Sequence, residues 1–220
     1  LAASQTMQRQ KQAMQRRETD LARLSEAVQG AAVRRCLSLG IDRESLVDAC
    51  LSGHGRPAQF PLSPASPLYP ADLEEPYRYE DFEDALDRAG LNTGETRSLT
   101  LLVCSDSQFK TAAASYLAAA LSVCDLQITV RSLPWAEYAA ALEKGDFDLC
   151  YAAVKLSADW DITSLVTPGG ALNYGGFDNT SLTQRLTALG PQNDTASAML
   201  TQLLEDKGIT VLTGVETERF

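Results

Sequence analysis

Between residues 99 and 154, short apolar runs alternate with helix-patterned segments, and few folds accept that order. Residues 99–104, Leu-Thr-Leu-Leu-Val-Cys, form an apolar run of strand length with polar residues on its carboxyl side. Residues 108–123 carry a helical pattern that Ser107 caps. Residues 126–132 alternate, with Ile128 and Val130 on one face. Pro134 then opens a helix over 135–143, in the first turn, where a missing N–H is tolerated. Residues 147–154 are a third apolar run. Strand, helix, strand, helix, strand implies parallel pairing with right-handed crossovers, and so an α/β class.

The flanks are more helical. Residues 1–30 are rich in strong helix formers. Met7, Met14, Leu21 and Val28 recur every seven residues, with Leu24 between, so a long polar helix with a thin apolar stripe is expected there. Gly30 is its stop. Ala31–Leu39 reads as a short helix. Asp42 caps another, with Leu46, Val47, Cys50 and Leu51 on one face and Gly53 at its end. Residues 55–79 hold most of the prolines, which excludes a regular element there and suggests a packed loop. A helix is expected over 81–89, stopped by Gly90. Beyond 161, helices are expected at Ser164, over 181–189 and over 195–207, and a strand over 209–213.

Charge and cysteine content narrow the function. The chain has 220 residues and a formal net charge of −10. That balance argues against nucleic acid or an anionic membrane as partner, because phosphate binding needs clustered Lys and Arg. The basic residues over 9–17 and at Arg34-Arg35 read as a solvated helix face. No apolar stretch approaches the roughly 20 residues a bilayer requires. The chain starts at Leu1 with no visible signal peptide, which reads as a processed or excised piece and leaves location open. Its five cysteines, Cys36, Cys50, Cys104, Cys124 and Cys150, have no zinc or C-x-x-C spacing and read as small buried hydrophobes.

The segment after the third strand is the strongest candidate for function. It runs Lys155-Leu156-Ser157-Ala158-Asp159-Trp160-Asp161. A buried strand that ends in a serine, two carboxylates and an indole opens onto a surface. Open α/β sheets hold ligands beyond the carboxyl ends of their strands. Two readings stand. In one, Asp159 or Asp161 caps a following helix. In the other, Asp159 pairs with a ligand ammonium group and Trp160 supplies an apolar or cation–π wall. Asp159 and Asp161 together also suit acid–base work or a cation site.

Catalysis has little else to stand on. The one histidine, His54, sits among glycines as a surface turn residue. No Ser–His–Asp set and no H-E-x-x-H motif can be assembled, so no catalytic and no metal-binding residue is assigned. Gly169-Gly170 and Gly175-Gly176 read as turns rather than phosphate cradles. Ser105-Asp106-Ser107 reads as a capping segment between strand and helix.

Five segments in order carry a resemblance. Val33-Arg34-Arg35-Cys36-Leu37-Ser38-Leu39-Gly40-Ile41-Asp42-Arg43 resembles "V-R-Q-A-L-x-x-A-I-D-R". Gly53-His54-Gly55-Arg56-Pro57-Ala58, with Pro61 and Pro64, resembles a glycine–proline loop. Residues 77–91 resemble the helix "Y-D-P-x-x-A-x-x-L-L-x-x-A-G". Trp135-Ala136-Glu137-Tyr138 and Lys144-Gly145-Asp146-Phe147-Asp148 resemble "W-x-x-Y" and "x-G-x-F-D". Asn173-Tyr174-Gly175-Gly176-Phe177-Asp178-Asn179 resembles "N-Y-x-G-Y-x-N". Together, over 31–213, these are similar to family 5 of the extracytoplasmic solute-binding proteins, the dipeptide, oligopeptide and nickel-binding receptors of ABC importers.

The resemblance implies a type II periplasmic-binding-protein-like fold. Residues 31–220 would be its C-terminal lobe alone, a three-layer α/β unit with a parallel βαβαβ core. Residues 1–30 would be an added N-terminal helix, a tether or a segment foreign to the lobe. Such proteins are two-lobed clamps that close on a solute at a hinge, and the larger lobe is missing from this sequence. In peptide-binding members an aspartate in an Ala-Asp pair after the third strand holds the peptide's amino terminus. Ala158-Asp159 matches that pair, so the resemblance assigns amine recognition to Asp159. Lys155, Ser157, Trp160, Asp161, Asn173 and Tyr174 complete the expected site. Two departures stand out: Leu156 where the family often has tryptophan, and Asp161-Ile162 in place of Asp-Pro. Either Trp160 replaces the lost wall or the solute differs.

The expected function is therefore that of a solute-binding lobe, peptide-like in its ligand. Its partners would be the missing larger lobe and the importer's membrane subunits, outside the cytoplasm, with a membrane anchor in the full-length protein. No cofactor, metal, nucleic acid or enzymatic activity is expected. The alternative is the ligand-sensing lobe of a transcriptional regulator, favoured only by the basic-flecked helix over 4–28.

Overall fold

In the computed structural model, residues 31–52, 54–59, 77–155, 162–178 and 215–217 are described. Their elements run α1 (Ala31–Leu39), α2 (Arg43–Leu51), β1 (Gly55–Pro57), α3 (Tyr79–Arg88), β2 (Arg97–Cys104), α4 (Gln108–Leu121), β3 (Leu126–Leu133), α5 (Trp135–Lys144), β4 (Leu149–Tyr151), α6 (Thr163–Val166) and β5 (Val215–Thr217). The expectations over 1–30, 60–76, 181–189, 195–207 and 209–213, and Gly53, lie outside the described residues.

The expected parallel core is present. β2 is central, in the order β3-β2-β4. It pairs in parallel with β3 from Arg97↔Leu126 to Cys104↔Leu133, and with β4 from Leu101↔Leu149 to Val103↔Tyr151. Its position explains its composition. A strand covered on both faces needs apolar residues at both parities, and Leu101, Leu102, Val103 and Cys104 are all buried.

The two faces feed two separate cores. Leu99, Leu101 and Val103 join Ile128 and a large cluster that includes Val33, Leu37, Leu46, Phe82, Leu86, Ala114, Leu117 and Leu121. Leu102 and Cys104 pack instead with Tyr138, Ala141 and Leu142 of α5. The sheet is thus sandwiched between α5 on one side and α4, backed by α1–α3, on the other. This is the three-layer arrangement the alternating pattern implies.

Local chemistry sets the element ends. The Asp42 carboxylate accepts from Ser45 N at 2.9 Å and caps α2. Ser107 Oγ accepts from Lys110 N at 3.4 Å and caps α4. Helix α4 stops at Leu121, two residues before the expected end. There the Ser122 hydroxyl donates back to Ala118 O (2.6 Å) and accepts from Ile128 N (2.9 Å). Helix α2 ends with Ser52 in the left-handed region, φ 51°, a residue earlier than Gly53 suggests.

Three expectations need correction. The third strand covers only Leu149–Tyr151, not 147–154. Its partner β2 breaks off at Cys104, so residues beyond 151 soon run out of ladder. On the other side, Asp148 uses its carboxylate rather than its backbone, accepting from Thr100 N at 2.8 Å. The proline-rich region does contain a regular piece: Gly55–Pro57 pairs antiparallel with Val215–Thr217. Its single proline is the last residue of the strand, where a missing N–H is tolerated. Cys124 is exposed in a turn at φ 52°, not buried in an apolar setting.

Candidate functional site

Because β2, β3 and β4 are parallel, their carboxyl ends open on one edge. Each strand is followed there by an exposed apolar side chain. Phe109 follows β2 in the first turn of α4 and is 63 % exposed. Trp135 follows β3 as the first residue of α5 and is 60 % exposed. Val154 follows β4 and is 42 % exposed. Large apolar side chains at the surface are a cost unless something covers them, and three at one sheet edge mark a binding surface.

Behind Trp135, α5 supplies a buried phenol. Tyr138 is one turn on, and its ring lies 6.0 Å from the indole, centroid to centroid, tilted by 35°. Its hydroxyl donates to Tyr151 O at 3.1 Å, which ties α5 to the end of β4. Burial pushes the Tyr138 phenol well above its ordinary value, aided by the Cys150 and Cys104 thiols and by the Tyr174 phenol. The group therefore stays neutral and acts as a donor. The Cys150 thiol beneath it is pushed up to about 11 by burial, which makes it a packing group rather than a nucleophile.

The segment 162–178 brings in the last described candidates. Ile162 and Val166 are buried and root it in the lobe. Leu172 N donates to Ser164 O (3.1 Å), Gly170 N to Thr167 O (3.0 Å) and Asn173 N to Gly170 O (3.0 Å). Asn173 turns its side chain onto this loop. Its Nδ2 donates to Thr167 O (2.9 Å) and Phe177 O (2.7 Å), and its Oδ1 accepts from Phe177 N (2.8 Å). Tyr174 is 36 % exposed, with its phenol near enough to Tyr138 to oppose ionisation there.

Of the residues singled out in the sequence, Lys155 stands exposed where the chain leaves β4. Tyr174 joins the aromatic group of Trp135 and Tyr138. Asn173 is committed to its own loop. Ser157, Asp159, Trp160 and Asp161 lie outside the described residues. Sequence reading took Trp135 and Phe109 only as helix beginnings. The available signal was a large apolar residue in the first helical turn directly after a strand, before the helix's inward face begins. His54 is exposed. Among the described residues, no group of three or more His, Cys, Asp or Glu side chains is placed to hold a metal ion.

The fold has close counterparts. The oligopeptide-binding protein AppA of Bacillus subtilis, solved with a nonapeptide, superposes with a TM-score of 0.73 at 21 % identity, over 83 % of this chain and 41 % of that one. The murein tripeptide-binding protein MppA of Escherichia coli gives 0.72 at 18 %, over 82 % and 38 %. NikA of Staphylococcus aureus, solved with Ni(L-His)2, gives 0.71 at 16 %, over 82 % and 40 %. At these identities the likeness establishes a periplasmic-binding-protein fold. The chain spans about two fifths of the length of these structures. Among curated proteins, Protein XP55 of Streptomyces lividans is 40 % identical over 63 residues, 29 % of this chain and 12 % of that protein. The family model for bacterial extracellular solute-binding proteins, family 5 (middle region), matches residues 14–176. With most of its length so matched, on a parallel three-layer fold shared with peptide- and nickel-binding proteins, this chain belongs to the bacterial extracellular solute-binding proteins of family 5.

Proposed function

We propose that this chain is the solute-binding lobe of an ABC importer receptor and that it holds a peptide-like ligand at the carboxyl edge of its sheet. The observation that carries the reading is the row of exposed apolar side chains, Phe109, Trp135 and Val154, one after each parallel strand. The family membership and the peptide complexes among its structural counterparts support it. In this reading Trp135, Tyr138 and Tyr174 form an aromatic wall. Lys155 and the segment that follows it supply polar contacts. Asp159 pairs with the ligand's ammonium group, Trp160 extends the wall, and Ser157 and Asp161 line it. Asn173 supports the wall from behind.

The chain acts by binding, not by turnover. Outside the cytoplasm it works with a larger lobe of the same receptor and with the importer's membrane subunits, in a receptor tethered to the membrane. Ligand burial needs both lobes, since sites that bind tightly enclose most of the ligand. The chain alone therefore binds short peptides at millimolar concentration or more weakly. Isothermal titration with a panel of di- to pentapeptides checks this. A micromolar titration would contradict the half-site reading, and turnover of any peptide would contradict the binding role.

A further inference from the structure

We propose that Asn173 is a positioning residue rather than a ligand group, and that it clamps the 162–178 loop so that Tyr174 presents a fixed ring selecting solutes with an aromatic side chain. This rests on the site reading above. An asparagine amide has two N–H donors and two lone pairs. Asn173 spends both donors, on Thr167 O and Phe177 O, and one lone pair, on Phe177 N. One lone pair remains for a solute, which makes it a poor direct partner. Three bonds to backbone on both sides of the loop make it a strong clamp.

The rest of the loop is built to match. Gly170 packs so closely that a Cβ there would lie 2.4 Å from Ser164 O. Gly176 takes φ +62°, a conformation glycine adopts without strain, and its N–H returns to Asn173 O at 3.2 Å. Buried Ile162 and Val166 fix the root. A loop held at so many points leaves Tyr174 little freedom. Yet the Tyr174 phenol has no hydrogen-bond partner among the described residues, so these bonds do not serve to anchor its own hydroxyl. They present its ring beside Tyr138 and so beside Trp135. A pre-ordered ring loses little entropy on contact. Aromatic pairs gain beyond their buried area, so an aromatic ligand side chain is preferred over a methyl group.

NMR of the 220-residue chain with labelled tyrosine rings tests clamp and site separately. Without ligand, wild type shows ring-to-ring NOEs between Tyr174 and Tyr138. Asn173→Asp keeps the side chain's shape but loses both donors, and it abolishes those NOEs. Asn173→Ala does the same at greater cost to stability. The probes are Ala-Phe-Ala and Ala-Ala-Ala at millimolar concentration. Wild type prefers the aromatic peptide by about twofold to tenfold, the range of one aromatic contact. The ratio falls to about one in Asn173→Asp and in Tyr174→Ala, by the loss of that same contact. General destabilisation weakens both peptides alike and leaves the ratio unchanged. Intact NOEs and an intact ratio in Asn173→Asp overturn the clamp. A ratio unchanged in Tyr174→Ala, or no uptake of either peptide by wild type, overturns the site reading whatever the NOEs show.

Discussion

Gly40 and Phe82 should behave as one unit in a double-mutant cycle. A Cβ placed on Gly40 would sit 2.5 Å from Cε1, 2.7 Å from Cζ and 2.8 Å from Cδ1 of Phe82. Carbon atoms pack at about 3.5–4.0 Å, so the ring would have to retreat by about 1 Å. It has nowhere to go: Phe82 is fully buried in the larger core with Leu37, Leu46 and Leu86. Gly40→Ala is therefore an overpacking change, costing about 1–3 kcal/mol. Phe82→Ala empties the same place and costs about 3–5 kcal/mol. In the double variant the new methyl group enters space the ring has left, so its cost falls well below the sum, with a coupling of about 1–3 kcal/mol. The family segments quoted above carry alanine at both positions, so these two departures compensate each other in volume. Urea denaturation followed by far-UV circular dichroism measures all four corners of the cycle. A Gly40→Ala protein within about 0.5 kcal/mol of wild type, or strictly additive variants, would refute the packing argument.

Three further outcomes follow from the same structure. Asp42→Ala removes the cap on Ser45 N and lowers unfolding free energy by about 1 kcal/mol, while Asp42→Asn costs only a few tenths; denaturant titration separates them. Of the five free cysteines, only Cys124 is exposed, so maleimide modifies it first. Its thiol is raised by desolvation and by the carboxylates of Glu83, Asp87 and Asp125, so an anionic disulfide reagent attacks it more slowly than a neutral one; mass spectrometry of timed digests reads both rates. Burial raises Cys36 and Cys150 from 9.0 to about 11. A folded state that holds a proton more tightly is stabilised fully below the unfolded pKa and loses that stability as pH rises to the folded one. Urea midpoints should therefore fall between pH 9 and 11, and Cys36→Ala should flatten part of that slope.

The alternation of period between 99 and 154 was enough to place β2, α4, β3 and α5 to within a few residues, because burial dictates sequence most strictly there. β4 was overestimated. Apolar content records burial, whereas strand length depends on how far the neighbouring strand runs, and β2 ends at Cys104. β1 escaped notice because its partner, Val215–Thr217, is distant in sequence, and no local pattern records a distant pairing. At the site, Tyr174 was legible as part of a motif. Asn173 was picked out from the same motif as a ligand group, although its bonds run to its own loop. Trp135 and Phe109 were passed over because one residue type serves equally as a helix's first core residue or as an exposed wall. Only their 60 % and 63 % exposure distinguishes the two roles.

The central claim is that a peptide-like solute is held beyond these strand ends by its ammonium group on Asp159. Ala-Phe-Ala and its N-acetylated form differ in that charge alone among their recognisable features. Titrated into the isotopically labelled chain at millimolar concentration, the free peptide should shift the Trp135 and Tyr174 ring resonances, and the acetylated form should do so much more weakly. Asp159→Asn should erase the difference. Equal responses to the two peptides, or a preference that survives Asp159→Asn, would contradict the account.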